Sequence, residues 1–126
     1  MNRCIVAAVS FIAAFLICLF GYMTLSDTCE TLTVPLTEII DYAESEDTEA
    51  AREKTEEMLI LWEKIHGRIE ALVPHAETDE LEEIVKSLPI YAETGNMERL
   101  RERAEIAVNR LEHIIQNEQP LFSNIF

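Results

Sequence analysis

The chain is poor in the residues from which catalytic loops are built, with three glycines, four prolines, three cysteines and one tryptophan among 126 residues. The glycines are isolated from one another, so no Gly-rich phosphate loop can form, and no Ser or Cys nucleophile motif occurs. Positive charge is equally scarce. Ten Lys and Arg stand against 24 Asp and Glu, a formal charge of −14. A surface that negative repels phosphate backbones and disfavours nucleic-acid binding. Charge of either sign is almost missing from the amino-terminal end: every acidic residue lies after position 26, and Arg3 is the one basic residue before it. What remains is an acidic, all-helical chain with an apolar amino terminus, for which neither enzymatic activity nor a cofactor is expected.

The charge-free run from Cys4 to Leu25, CIVAAVSFIAAFLICLFGYMTL, rises about 33 Å as a helix, matching a hydrocarbon core of about 30 Å. Residues 4–25 are therefore read as a bilayer-crossing signal anchor within residues 1–26. The competing reading is a cleaved signal peptide, for which Thr24-Leu25-Ser26 is a passable cleavage site, but its apolar region would be only about 7 to 15 residues long. Ile17 before Cys18 and Asp27-Thr28 before Cys29 argue against a lipoprotein anchor. Arg3 precedes the run while Asp27 and Glu30 follow it, so the amino terminus is expected in the cytoplasm and residues 27–126 outside, at the cell membrane.

Residues 27–126 leave room for one domain with a modest core. Leu32, Leu36, Ile39, Ile40 and Ala43 recur at helical spacing until Ser45-Glu46-Asp47, where Asp47 can cap a new helix. The second helix carries Ala51, Thr55, Met58, Trp62, Ile65, Ile69 and Leu72 in alternating steps of four and three, a seam that faces another helix. Pro74 closes it. Asp79 with Glu82 reads as a capping box opening a third helix with Leu81, Ile84, Val85, Leu88 and Ala92. Gly95 ends that helix, Asn96 caps the next, and Leu100, Ala104, Ala107, Leu111 and Ile114 form another seam. Pro35 and Pro89 fall inside two of these runs, where a lost amide and a ring clash predict a kink or a break.

The chain also repeats itself. YAESEDTEAARE at 42 returns as YAETGNMERLRE 49 positions later. Tyr42, Ala43 and Glu44 fall on Tyr91, Ala92 and Glu93; Glu49, Arg52 and Glu53 fall on Glu98, Arg101 and Glu102. The match runs through helix, turn and helix, and predicts two copies of one αα-hairpin, residues 27–73 and 78–118, closed into an antiparallel four-helix bundle.

Candidate chemistry is sparse. His75 and Glu77, with Asp79 nearby, could offer ligands to a metal, but zinc needs three or four converging ligands and no second cluster is present, so a solvated loop is expected. His66 and His113 lie beside seams and read as boundary residues. Arg99, Arg101 and Arg103, interleaved with Glu98, Glu102 and Glu105, read as a salt-bridged solvated face. Trp62 reads as core packing. Two features point to partners. Leu121, Phe122, Ile125 and Phe126 crowd the apolar tail, residues 119–126, which either folds back on the bundle or docks on a partner protein or the bilayer surface. Cys29, the one thiol beyond the apolar run, is a candidate for an intermolecular disulfide joining a homodimer.

The apolar amino-terminal span, the acidic helical body, Pro74 followed by His75-Ala76-Glu77-Thr78-Asp79-Glu80, and the closing Ser123-Asn124-Ile125-Phe126 together resemble a family of small clostridial proteins, domain of unknown function 4363. The resemblance covers essentially the whole chain. It carries no catalytic residue, and it implies a multi-pass membrane protein as partner, since members are often encoded beside one. The two prolines within helices depart from that family's smooth helical pattern. The function expected is that of an accessory or scaffold subunit presenting a helical bundle to a membrane-protein partner; the alternative is an extracytoplasmic sensor holding a small molecule or a cation.

Overall fold

The computed structural model describes the main chain of residues 2–125 and the side chains of residues 2–117. Four helices account for the described chain, α1 (Asn2–Glu44), α2 (Thr48–Glu70), α3 (His75–Glu93) and α4 (Met97–Ile125), and no strand occurs among the described residues. Each helix packs on its neighbours in the cyclic order α1, α2, α3, α4, with the contact most extensive between α1 and α4. The result is a helical bundle around one core.

The seams read from the periodicity are the core. Leu32, Leu36, Ile39 and Ala43 of α1 are buried with Ala51, Met58, Trp62, Ile65 and Ile69 of α2, and α3 and α4 contribute their seams in full. Large side chains such as Trp62, Leu32 and Leu88 each stabilise the fold by about 1.5–3 kcal/mol on full burial. Thr55 and Thr78, also buried, satisfy their hydroxyls on their own helices, donating to the carbonyls of Arg52 at 2.8 Å and Pro74 at 3.4 Å.

The apolar amino-terminal run and the first helix of the bundle are one continuous element. α1 runs 43 residues, about 65 Å at 1.5 Å per residue, and passes through residue 26 without a break. Its side chains are mostly exposed up to Met23 and enter the core from Leu25 onward. Pro35 neither breaks nor ends it. The proline ring removes one amide, but core packing by Leu32 and Leu36 holds both sides. Thr28, Thr31, Thr33 and Thr37 each donate a side-chain hydrogen bond to the carbonyl four residues earlier, at 2.7–2.9 Å, satisfying their hydroxyls within the helix. Pro89 likewise lies within α3.

The two three-residue turns are superimposable bond for bond. Asp47 N–H donates to Tyr42 O at 2.9 Å and Asn96 N–H to Tyr91 O at 3.0 Å; Glu46 N–H donates to Ala43 O and Gly95 N–H to Ala92 O, both at 3.3 Å. Asp47 Oδ1 accepts from Ala50 N–H at 3.3 Å, and Asn96 Oδ1 from Arg99 N–H at 3.2 Å. These are the caps anticipated from the residue types, each relieving one of the free amides of a helix start.

Two local expectations need correction. α3 begins at His75, with Pro74 at the cap position and no side-chain cap bond. Asp79 therefore lies inside the helix and the capping box with Glu82 does not open it. Pro74, at φ −54° and ψ 141°, is extended, as a residue just outside a helix is, and its carbonyl accepts from Glu77 and Thr78 N–H, so the first turn closes on it. α2 ends at Glu70, and Leu72 is not part of its seam; Leu72 and Val73 N–H both turn back to Ile69 O. That tighter turn carries Val73 into the core and leaves Leu72 38% exposed.

Candidate functional site

The most distinctive surface is the amino-terminal half of α1. Ile5, Val9, Phe11, Ile12, Ile17 and Phe20 are more than half exposed, and α1 is the one described helix long and apolar enough to cross a membrane. Among the described residues no bundle element covers this face, so the side chains that water would most exclude are left open there. Coverage begins lower down, where Phe15, Leu19, Gly21 and Tyr22 are half-buried. A β-carbon placed on Gly21 would stand 3.6 Å from Leu72 Cδ2, which fixes the α2–α3 loop at the height of Gly21, within the charge-free run. Sequence reading missed this loop as a candidate surface; the signal available was the absence of charge in Ala71-Leu72-Val73-Pro74.

Cys29 is not where a juxtamembrane thiol would be. It is 0% exposed in the core, and burial pushes its thiol up to about 11 from 9.0. The low-dielectric surroundings disfavour the thiolate, which is the reactive form. A Cys29 disulfide between two copies would require the bundle to open, because the residue belongs to the α1 seam and not to the surface.

Trp62 stacks on His66, with ring centroids 5.8 Å apart and an interplanar angle of 26°. The Trp62 indole N–H is buried without an acceptor. His66 Nδ1 lies 3.3 Å from Glu70 Oε1, within ion-pair distance but without hydrogen-bond alignment. The three residues form a ladder along one face of α2, with Glu70 at the end nearest the α2–α3 loop. His113 is exposed, its Nε2 3.3 Å from Asn117 Nδ2.

The remaining candidates are solvated. His75 and Asp79 are exposed and Glu77 is half-buried, and among the described residues no three His, Cys, Asp or Glu side chains converge as metal ligands would. Arg99 pairs with Glu102 at 3.5 Å on the outside of α4, where Arg101 is exposed and Arg103 half-buried. Among the described residues two ion pairs cross between helices, Lys54 of α2 to Glu38 of α1 and Arg110 of α4 to Glu80 of α3 at 3.2 Å. The Lys54 ammonium is raised above its ordinary value chiefly by its hydrogen bond to Glu38; an exposed pair of this kind contributes at most about 1 kcal/mol. The side chains of Leu121, Phe122, Ile125 and Phe126 lie outside the described residues.

These features define a helical-bundle protein in which one bundle helix extends into a segment able to cross a membrane. Residues 19–125 match the family model for a domain of unknown function, DUF4363, and the chain belongs to that family. The match starts at Leu19, which is one of the half-buried residues of α1. No curated protein and no solved structure matches the chain.

Proposed function

We propose that the protein is a non-enzymatic accessory or scaffold subunit, anchored by residues 4–25 of α1 and presenting its bundle outside the membrane to a membrane-protein partner. The observation that carries this reading is the continuity of α1. The helix that meets lipid also supplies one wall of the core, so the bundle is held at a set height and rotation relative to any protein in the same bilayer. Retention of the anchor is favoured by the same feature: cleavage after Ser26 would remove Leu25, a core residue, and cut α1 within the bundle. Arg3 before the span and Asp27 and Glu30 after it favour a cytoplasmic amino terminus.

The bundle in this reading is antiparallel and consists of two copies of one αα-hairpin. Short turns between contacting helices favour that arrangement. Leu32, Leu36, Ile39 and Ala43 are buried, as are Leu81, Val85, Leu88 and Ala92 49 positions later, and Ala51, Met58, Trp62 and Ile65 are matched by Leu100, Ala107, Leu111 and Ile114. Together with the bond-for-bond match of the turns, this exceeds what shared acidic composition alone would produce.

The test is photocrosslinking from outward positions of the bundle in native membranes. A photoreactive residue at Ile60 or Ile90, both more than half exposed, is expected to give a discrete adduct containing an integral membrane protein. Absence of any such adduct from both positions, with the protein intact in the membrane fraction, would overturn the proposed partner.

A further inference from the structure

We propose that the α2–α3 loop, residues 71–74, is a second membrane contact, seating the end of the bundle in the lipid interface beside α1; this rests on the reading of α1 as a membrane span. Gly21 fixes the depth. Its contact with Leu72 places the loop at the level of Gly21, whereas the first charge that follows on α1 is Asp27, six residues or about 9 Å farther along the axis. A span that starts just after Arg3 and takes about 20 residues to cross the hydrocarbon reaches beyond Gly21. The loop therefore stands at a depth where α1 itself is among lipid.

The loop chemistry fits that position. Ala71, Leu72 and Pro74 are exposed and Val73 is tucked into the core, only 7% exposed. The buried valine pins the backbone, and Leu72 lies against α1 at Gly21 with 38% of its surface still open. The turns at the opposite ends of the helices, Ser45-Glu46-Asp47 and Thr94-Gly95-Asn96, hold no large apolar side chain. Loops of one small bundle thus differ in polarity according to which end they close, as they would if one end met water and the other met lipid. The contact is apolar in kind, because an acidic domain gains nothing electrostatically from an anionic surface. The occupant is the glycerol and upper acyl region of the bilayer.

Full-length protein carrying Cys4→Ser and Cys18→Ser, in phosphatidylcholine vesicles, tests this with a bimane label on one added cysteine and a lipid bearing a nitroxide on the upper acyl chain. Labels at Ile12→Cys, Leu72→Cys and Ile90→Cys report the span, the loop and the bundle flank. Quenching at Ile12 and Leu72, at least threefold stronger than at Ile90, supports the contact. Quenching at Ile12 with Leu72 as unquenched as Ile90 overturns it while leaving the anchor standing. No quenching at Ile12 removes the anchor and the contact together, and equal quenching at all three positions overturns the seated geometry. Because a label can itself partition into lipid, an Ala71→Cys label is read with and without Leu72→Asp, at unchanged helical circular dichroism. Quenching is expected to fall at least twofold, and no change overturns the role of Leu72.

Discussion

Glu46 and Gly95 occupy the same left-handed position in the two turns, with φ of 57° and 73°. One turn fills it with the residue that suits it and the other with a residue that does not. A β-carbon in this region costs about 1–2 kcal/mol, partly offset because glycine loses more entropy on folding. Gly95→Ala is expected to destabilise the protein by about 1 kcal/mol and Glu46→Gly to stabilise it by up to about 1 kcal/mol. Urea titration of the full-length protein in detergent, followed by circular dichroism, reads both; equal effects of the same sign would show that the turns are not equivalent.

Each turn also supplies a cap, so Asp47→Ala and Asn96→Ala should each cost about 1 kcal/mol. The caps are on different helices and share no partner, and the double variant is expected to lose the sum within about 0.5 kcal/mol. A loss near zero at either position would show that the cap bond is not formed in solution.

Trp62 and Leu111 fill matching core positions, and truncation to Ala at either should destabilise the bundle by about 2–5 kcal/mol. Trp62→Phe separates packing from polarity. It removes an indole N–H that has no acceptor, a buried donor costing about 1–3 kcal/mol, while leaving a cavity of comparable cost. The net change is expected within about 1 kcal/mol, and a loss as large as that of Trp62→Ala would mean that the N–H is bonded after all.

Cys29 makes stability depend on alkaline pH. With the folded thiol raised to about 11 against 9.0 unfolded, its protonated form in the core contributes stability that is complete below about pH 9. Between those values the unfolded chain releases a proton that the folded chain retains, and stability declines as pH rises. Cys29→Ala should melt less steeply with pH between 8.5 and 10.5 than the parent protein. The same burial predicts that, with Cys4 and Cys18 replaced by Ala, a thiol reagent modifies Cys29 only as the protein unfolds, and that non-reducing electrophoresis of thiol-blocked membranes shows a monomer. A reducible dimer lost on Cys29→Ser would contradict the burial.

Orientation is read from one exposed site. Ile90→Cys in the same Cys4→Ala, Cys18→Ala background should react with a membrane-impermeant maleimide on whole cells. Protection of that site until the cells are permeabilised would place the bundle in the cytoplasm.

The sequence determined by itself what depends on a few neighbouring residues. A seam is a local periodicity and a cap is a side chain acting on amides three residues away, so Met58, Trp62, Leu100, Leu111, Asp47 and Asn96 all stand where their spacing put them. The length and lack of charge of the first helix, and the repeat at 49 positions, are equally local properties of the string. Only the tertiary structure decided what depends on which surface covers which. Pro35 predicts a kink or a break when considered along one helix, yet α1 continues through it because Leu32 and Leu36 are held by other helices. Cys29 sits close after an apolar run, yet the bundle extends back to Leu25 and Gly21 and encloses it. Leu72 and Val73 differ by one step, and the return bonds to Ile69 chose which of them faces inward. Burial is set by the neighbours that long-range packing brings, and no pattern within one helix names them.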